Sequence, residues 1–139
     1  TLRREIEVRK IGNSQIIPQR LAAYERMALF LERIKPTGLA RRVTPHSTAK
    51  NYESILIQTV QSEWEHNLSQ QIYVNPESWK LIYSAKNATQ NFIRQCSADL
   101  GPDATAQQLQ EYIITKSISE NAPSNDALLK LQVDIQGNL

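Results

Sequence analysis

The chain has 139 residues, of which 40% are hydrophobic and 22% are charged. This composition is typical of one globular domain and excludes a low-complexity chain. The single cysteine, Cys96, excludes an internal disulfide framework, and no apolar run approaches the roughly 20 residues of a membrane-spanning helix.

Charge is distributed unevenly along the chain. Residues 1–50 hold 11 Lys and Arg against 4 acidic residues, whereas residues 51–139 hold 5 against 10. Such an asymmetry indicates either a surface that meets a polyanion or an anionic bilayer, or two halves that attract each other in the fold. The first interpretation gives six candidate contacts with an anionic surface: Arg3, Arg4, Arg9, Lys10, Arg41 and Arg42.

The first elements in chain order are two helices. Residues 1–10 are predicted to form a charged helix that ends at Gly12 and Asn13. Pro18 then occupies a typical first-turn position, and the second helix continues to Pro36. Its inner face is predicted to carry Ile17, Leu21, Tyr24, Ala28 and Leu31. The expected division is a charged helix and linker at 1–17, followed by a helical domain at 18–139.

The remaining elements are also predicted to be helical. Residues 36–47 form a connector, and Ser47 or Thr48 caps a helix that extends to about residue 72. Asn75 and Pro76 begin a long helix that ends at Gly101, with Cys96 as an unreactive core thiol. A capping box formed by Thr105 and Gln108 begins a helix over 103–120, and a short helix covers 126–136. We therefore predict an all-α fold, an irregular helical bundle of about five helices.

One motif suggests a metal site. Glu63 and His66 form Glu-x-x-His, a ligand pair found in carboxylate-bridged helical bundles. Such a site needs a second copy of the motif, but Val43 precedes His46 at the required spacing. At 100° per residue, Glu63 lies within the apolar face of its helix and His66 lies at the margin. We expect no metal and no other cofactor, and a metal-dependent carboxylate enzyme is the second alternative for function.

Polar residues on predicted inner faces are the unusual feature of the chain. An unpaired buried charge costs several kcal/mol, so these residues need partners. They indicate either a polar site inside the bundle or an ion-pair network that determines which helices meet. We predict in particular that Glu63 is largely buried and is either paired with an arginine or hydrogen-bonded to the backbone or to a tyrosine. The candidate buried polar network comprises Glu25, Arg26, Glu32, Arg33, Glu63 and Asn67.

Two segments of the chain, "RLAAYERMALFLERIKPTGLARRV" and "EWEHNLSQQIYVNPESW", resemble an uncharacterised family of small Bacteroidota proteins. The resemblance is good over residues 18–100 and loose after Pro102. It implies an N-terminal membrane anchor upstream of Thr1, with residues 1–10 as the juxtamembrane end. It also implies a domain on the cytoplasmic face of the inner membrane, but it implies no activity and no catalytic residue.

These observations predict a non-enzymatic helical interaction domain that binds a protein partner or itself. An anionic membrane surface is a further expected partner because of the basic N-terminal half. The first alternative is a nucleic-acid-binding domain that uses the same basic half. The sequence disfavours this alternative because no recognition motif is present and the aromatic residues lie on predicted core faces: Tyr24, Tyr52, Trp64 and Trp79.

Overall fold

The computed structural model describes the backbone of residues 2–137 and the side chains of residues 17–137. This part of the chain forms six α-helices and one 3-10 helix, η1. Their bounds are α1 Leu2–Arg33, α2 Pro36–Arg42, α3 Ala49–His66, η1 Leu68–Tyr73, α4 Pro76–Leu100, α5 Ala106–Ser119 and α6 Asn125–Gly137. The predicted all-α class is confirmed, and the predicted count of about five helices is corrected to seven within the described residues.

The first helix is longer than predicted. The break expected at Gly12 and Asn13 is wrong, because α1 continues from Leu2 through Pro18 to Arg33. Glycine and asparagine weaken a helix by only about 1 kcal/mol or less each, which is too little to end one that continues on both sides. Pro18 removes one backbone N–H, so α1 continues with one intrahelical hydrogen bond fewer at that turn.

The buried face of α1 is rotated from the predicted one. Tyr24 and Leu31 are buried as predicted, but Ile17 and Leu21 are exposed. The face that packs inward also carries residues outside the predicted set: Ala23, Met27, Phe30 and Ile34. Residues on the far side of this face, among them Glu25 and Glu32, therefore point to solvent.

The segments on either side of α3 also differ from the prediction. The expected connector contains α2, which Tyr52 of α3 holds in place. The buried Tyr52 hydroxyl lies 2.9 Å from the Ala40 carbonyl oxygen and 2.7 Å from that of Val43. At its other end α3 stops at His66, short of the predicted end near residue 72, and the chain continues as η1, in which Leu68 is exposed.

Several predicted helix ends are confirmed. The Thr48 hydroxyl accepts a hydrogen bond from the Asn51 amide at 3.1 Å, and the Thr105 and Gln108 side chains form the capping box of α5. Gly101 ends α4 with a φ of +85°, a backbone conformation that favours glycine. Asn75 differs, because its side chain makes no cap hydrogen bond to α4 and instead accepts one from Arg20 at 2.9 Å.

Helix α4 lies at the centre of the bundle and packs against α1, α3, α5 and α6. Its inner face is buried from Trp79 to Cys96. The Cys96 thiol lies in the core as predicted, and burial raises its pKa to about 11. Trp79 stacks near Trp64 of α3, with ring centres 5.0 Å apart, and Trp64 in turn contacts Phe30 of α1 at 5.8 Å. These rings join three helices at the end of the bundle that carries the candidate site.

Candidate functional site

A cleft lies between the second half of α1 and the end of α3. Its volume is about 330 Å³. Phe30 is buried, while Leu29 remains 60% exposed. The lining therefore combines apolar surface with several ionisable and amide groups: Arg26, Leu29, Phe30, Arg33, Glu63, His66 and Asn67.

An arginine–carboxylate clamp occupies one wall of this cleft. Arg33 donates from Nε at 3.0 Å and from Nη2 at 2.8 Å, and both bonds reach Oε1 of Glu63. Arg42 brings its Nη2 within 3.7 Å of the same oxygen and donates to the Arg33 carbonyl oxygen at 3.0 Å. The clamp therefore ties α1, α2 and α3 together, and it fixes the Arg33 guanidinium beside the cleft.

The second carboxylate oxygen of Glu63 is in a different environment. Oε2 is buried and accepts no hydrogen bond from the described residues. Asn67 does not supply one, because its amide group donates to the Glu63 backbone carbonyl at 2.8 Å and so completes the end of α3. Among the side chains of residues 17–137, all donors to the Glu63 carboxylate thus converge on Oε1.

The cleft and clamp carry an excess of positive charge. Together they contain three guanidinium groups, from Arg26, Arg33 and Arg42, and the single carboxylate of Glu63. Arg26 takes part in none of the ion pairs among residues 17–137. Arg33 is paired, yet 47% of its side chain remains exposed to solvent. The arrangement therefore suits a group with negative charge.

The structure brings together four of the six residues of the predicted polar network, namely Arg26, Arg33, Glu63 and Asn67. The predicted pairing of Glu63 with an arginine is confirmed, with 19% of its side chain exposed. The expectation of burial is wrong for Glu25, Arg26, Glu32 and Arg33, because the packed face of α1 is rotated away from them. Glu32 lies outside the cleft lining and pairs with Lys35 at 3.0 Å.

The predicted anionic-surface residues fall into two groups. The side chains of Arg3, Arg4, Arg9 and Lys10 lie outside those that the structure describes. Arg41 and Arg42 are both exposed at the end of α2, and Arg42 belongs to the clamp. Of the predicted anionic-surface residues whose side chains the structure describes, Arg42 is therefore the one that contributes to the candidate site.

The two end residues of the Glu-x-x-His motif lie in different surroundings. Glu63 belongs to the clamp, whereas His66 is exposed on the rim of the cleft. Within the described part of the chain, no three His, Cys, Asp or Glu side chains are grouped so that they could hold a metal ion. The expectation of a metal-free protein remains a prediction.

Sequence reasoning missed a buried polar network around Tyr24, on the packed face of α1. Asp134 of α6 is buried, and its Oδ2 accepts hydrogen bonds from the Tyr24 hydroxyl at 2.9 Å and from the Ser78 hydroxyl. Lys130 donates to Oδ1 of the same carboxylate. The Tyr24 oxygen also accepts from the Asn75 amide at 3.2 Å. This Asp134 network fastens α6 to α1 and to the first turn of α4.

The charge state of the Asp134 network follows from these contacts. Burial raises the pKa of Asp134, but the hydrogen bonds from Lys130, Ser78 and Tyr24 together hold this pKa below its ordinary value. Burial raises the pKa of Tyr24 in turn. The network therefore contains an ionised carboxylate and a protonated tyrosine at neutral pH. The one signal visible in the sequence was the spacing of Lys130 and Asp134, which are four residues apart.

The clamp gives a prediction about Glu63. We expect Glu63→Ala to lower the free energy of unfolding by about 1 kcal/mol, because it removes two charge-assisted hydrogen bonds that are only partly shielded from water. Glu65→Ala serves as the control on the same helix, since Glu65 is exposed and its carboxylate accepts one hydrogen bond from the described side chains, that of Gln61. Its effect should stay within about 0.5 kcal/mol. Urea unfolding of the two variants measures both values, and equal losses would contradict the assignment of Glu63 to a stabilising clamp.

Comparison with known proteins identifies a family but no characterised relative. The model of a family of unknown function matches residues 1–138. No curated protein and no solved structure matches the chain. Among the described helices, none is both long enough and apolar enough to span a bilayer.

Proposed function

The chain belongs to DUF7935, a family of unknown function, and we propose that it is a non-enzymatic interaction domain that binds a protein partner through the α1–α3 cleft. We further propose that it is the cytoplasmic part of a protein anchored in the inner membrane. The uncharacterised status of the family agrees with the resemblance noted in the sequence. The anchor and the bacterial phylum are implied by that resemblance alone.

The observation that carries the proposal is the surface composition of the cleft. An apolar side chain, Leu29, stands exposed between two arginines, Arg26 and Arg33, along one side of α1. Interface centres combine apolar anchors with arginine, which forms directional hydrogen bonds and has an apolar stem. The clamp holds Arg33 in one position before a partner arrives, which reduces the entropy lost on binding.

A purely structural role accounts for only part of this surface. The Arg33–Glu63 pair joins helices and would be useful to the fold without any partner. Arg26 and Leu29 are different, because neither is buried and Arg26 joins no ion pair in the described part of the chain. Their position beside the clamp favours binding of a second molecule.

Site-specific photo-crosslinking of the full-length protein in its native cells tests this function. A photoreactive amino acid replaces Leu29 in one variant and Leu129 in another. Leu129 is a matched control, because it is also a leucine that is 60% exposed but lies on α6. We expect a discrete protein adduct from position 29 and none of the same size from position 129. Equal adducts from both positions, adducts with nucleic acid alone, or no adduct at position 29 would overturn the proposal.

A further inference from the structure

The rim of the cleft presents charge and apolar surface at regular helical spacing. Arg26, Leu29 and Arg33 follow one another at intervals of three and four residues, so they share one side of α1. With a rise of 1.5 Å per residue, the two arginines are about 10 Å apart along the helix axis. Leu29 lies between them and is exposed, and the cleft opens beside it.

Both arginines retain donors for a second molecule. A guanidinium has five N–H groups in a planar fork. Arg33 uses Nε and Nη2 for Glu63, which leaves the two N–H groups of Nη1 outside the clamp. Arg26 makes no ion pair with the described residues. Each arginine can therefore donate hydrogen bonds to a carboxylate, and the pair can bind two carboxylates about 10 Å apart.

We propose that the occupant of the cleft is an acidic amphipathic helix of a partner protein, with two acidic residues seven positions apart and an apolar residue midway between them. This inference rests on the proposed function and specifies the chemistry of its partner. A helix that lies along α1 would place its acidic residues against Arg26 and Arg33 and its apolar residue against Leu29. This mode of recognition is an amphipathic helix in a groove, reinforced by complementary charge.

The apolar centre distinguishes this partner from a nucleic acid. Single-stranded nucleic acids bind to grooves in which exposed aromatic rings stack on the bases. The one aromatic residue in the cleft lining is Phe30, which is buried among the described side chains and packs against Trp64. Leu29 offers an aliphatic contact that a phosphate backbone does not use.

Glu63 acts as a positioning residue in this interaction. Its Oε1 holds the Nε and Nη2 side of the Arg33 guanidinium, so that the Nη1 side is left for the partner. Neutralising the carboxylate in Glu63→Gln keeps the shape and weakens the hold on Arg33. We therefore expect this variant to bind the partner helix more weakly, with a faster dissociation rate, although Glu63 does not touch the partner.

The experiment measures binding of a labelled synthetic peptide to the purified chain by fluorescence anisotropy. The probe is an alanine-rich helix with two Glu residues seven positions apart and two Leu residues midway between them. We expect binding that weakens as salt is added, and no binding of a peptide with Lys in place of Glu. Arg26→Glu should reduce the affinity about tenfold or more, whereas Lys80→Glu, an equal charge change on exposed α4 surface, should leave it unchanged.

Further measurements distinguish loss of the proposed partner helix from folding defects and from other occupants of the cleft. Leu29→Ala should also weaken binding, and circular dichroism with thermal unfolding should show that each variant keeps its helix content and stability. Equal affinity in the Arg26→Glu and Lys80→Glu variants, displacement of the peptide by a short DNA strand at the same concentration, or blockage of the cleft by a second copy would overturn the inference. If position 29 crosslinks to a protein in cells but the purified chain binds the Glu and Lys peptides with equal affinity, the proposed function stands and this inference fails.

Discussion

Replacing Asp134 with alanine is expected to lower the free energy of unfolding by about 3–5 kcal/mol. The reason is that the substitution removes a buried carboxylate and leaves its hydrogen-bonding partners in place. The variant leaves the hydroxyls of Tyr24 and Ser78 buried without their acceptor, and Lys130 without its counter-charge. A loss of this size is a large fraction of the stability of an ordinary domain. Urea unfolding followed by far-UV circular dichroism measures it.

Two controls distinguish the network from a general effect of losing a carboxylate. Asp126→Ala removes an exposed carboxylate from the same helix and should change stability by no more than about 0.5 kcal/mol. Combining Asp134→Leu with Tyr24→Phe and Ser78→Ala replaces the buried acceptor and its two hydroxyl donors by apolar groups. It should recover much of the loss, because the remaining partner, Lys130, is 31% exposed and can be solvated. A loss below about 1 kcal/mol for Asp134→Ala would show that the network contributes little.

The same carboxylate gives a pH dependence with a definite sign. The folded-state pKa of Asp134 lies below its ordinary value. Its contribution to stability is therefore fully present above the pKa of the unfolded chain and is lost as the pH falls through the folded-state pKa. The stability difference between the natural chain and Asp134→Asn should be constant above about pH 5 and should shrink below about pH 4. A difference that grows on acidification would contradict this assignment.

Trp64→Ala is the second substitution with a large expected effect, about 3–5 kcal/mol. Trp64 is buried where three helices meet, and its ring lies 5.8 Å from Phe30, 5.0 Å from Trp79 and 5.7 Å from Tyr83. Alanine leaves a cavity that these rings cannot fill without moving. We expect a lower thermal midpoint together with loss of the near-UV circular dichroism signal that packed tryptophans give.

Tyr83 provides the control for this substitution. It contacts the same tryptophan but is exposed, so Tyr83→Ala removes an aromatic contact without opening a buried cavity. Its expected loss is about 1 kcal/mol, in the range of one aromatic pair. Comparable losses from Trp64→Ala and Tyr83→Ala would mean that the cluster relaxes around the missing indole and is less tightly packed than the structure indicates.

The features that the sequence predicted correctly depend on residues close together in the chain. Thr105 and Gln108 form a capping box within one turn, and Pro76 and Gly101 mark helix ends by their own backbone chemistry. The rotation of α1 was not predictable in this way. Apolar residues occur on both candidate faces of this helix, and contacts with α4 and α6, which are distant in sequence, decide which face is buried.

The candidate site also has one feature that the sequence predicted and others that depend on contacts between distant residues. The pairing of Glu63 with an arginine was predictable, because an acidic residue on an apolar helix face requires a counter-charge. Which arginine pairs with it was not, since Arg33 is 30 residues away and its position depends on how α1 crosses α3. The burial of Asp134 was not predicted. On its own short helix it resembles an exposed residue paired with Lys130, and only the packing of α6 against Tyr24 and Ser78 makes it buried.

The hydrogen bond between Tyr24 and Asp134 also bears on the order of events during synthesis. The two residues are 110 positions apart, so the contact closes a long loop that the ribosome completes only when α6 has emerged. The clamp between Arg33 and Glu63 spans 30 positions and is available much earlier. A nascent chain can therefore display its basic cleft while the polar interior around Tyr24 is still open to water. The partner proposed for the cleft could therefore meet the protein before α6 packs against α1 and α4.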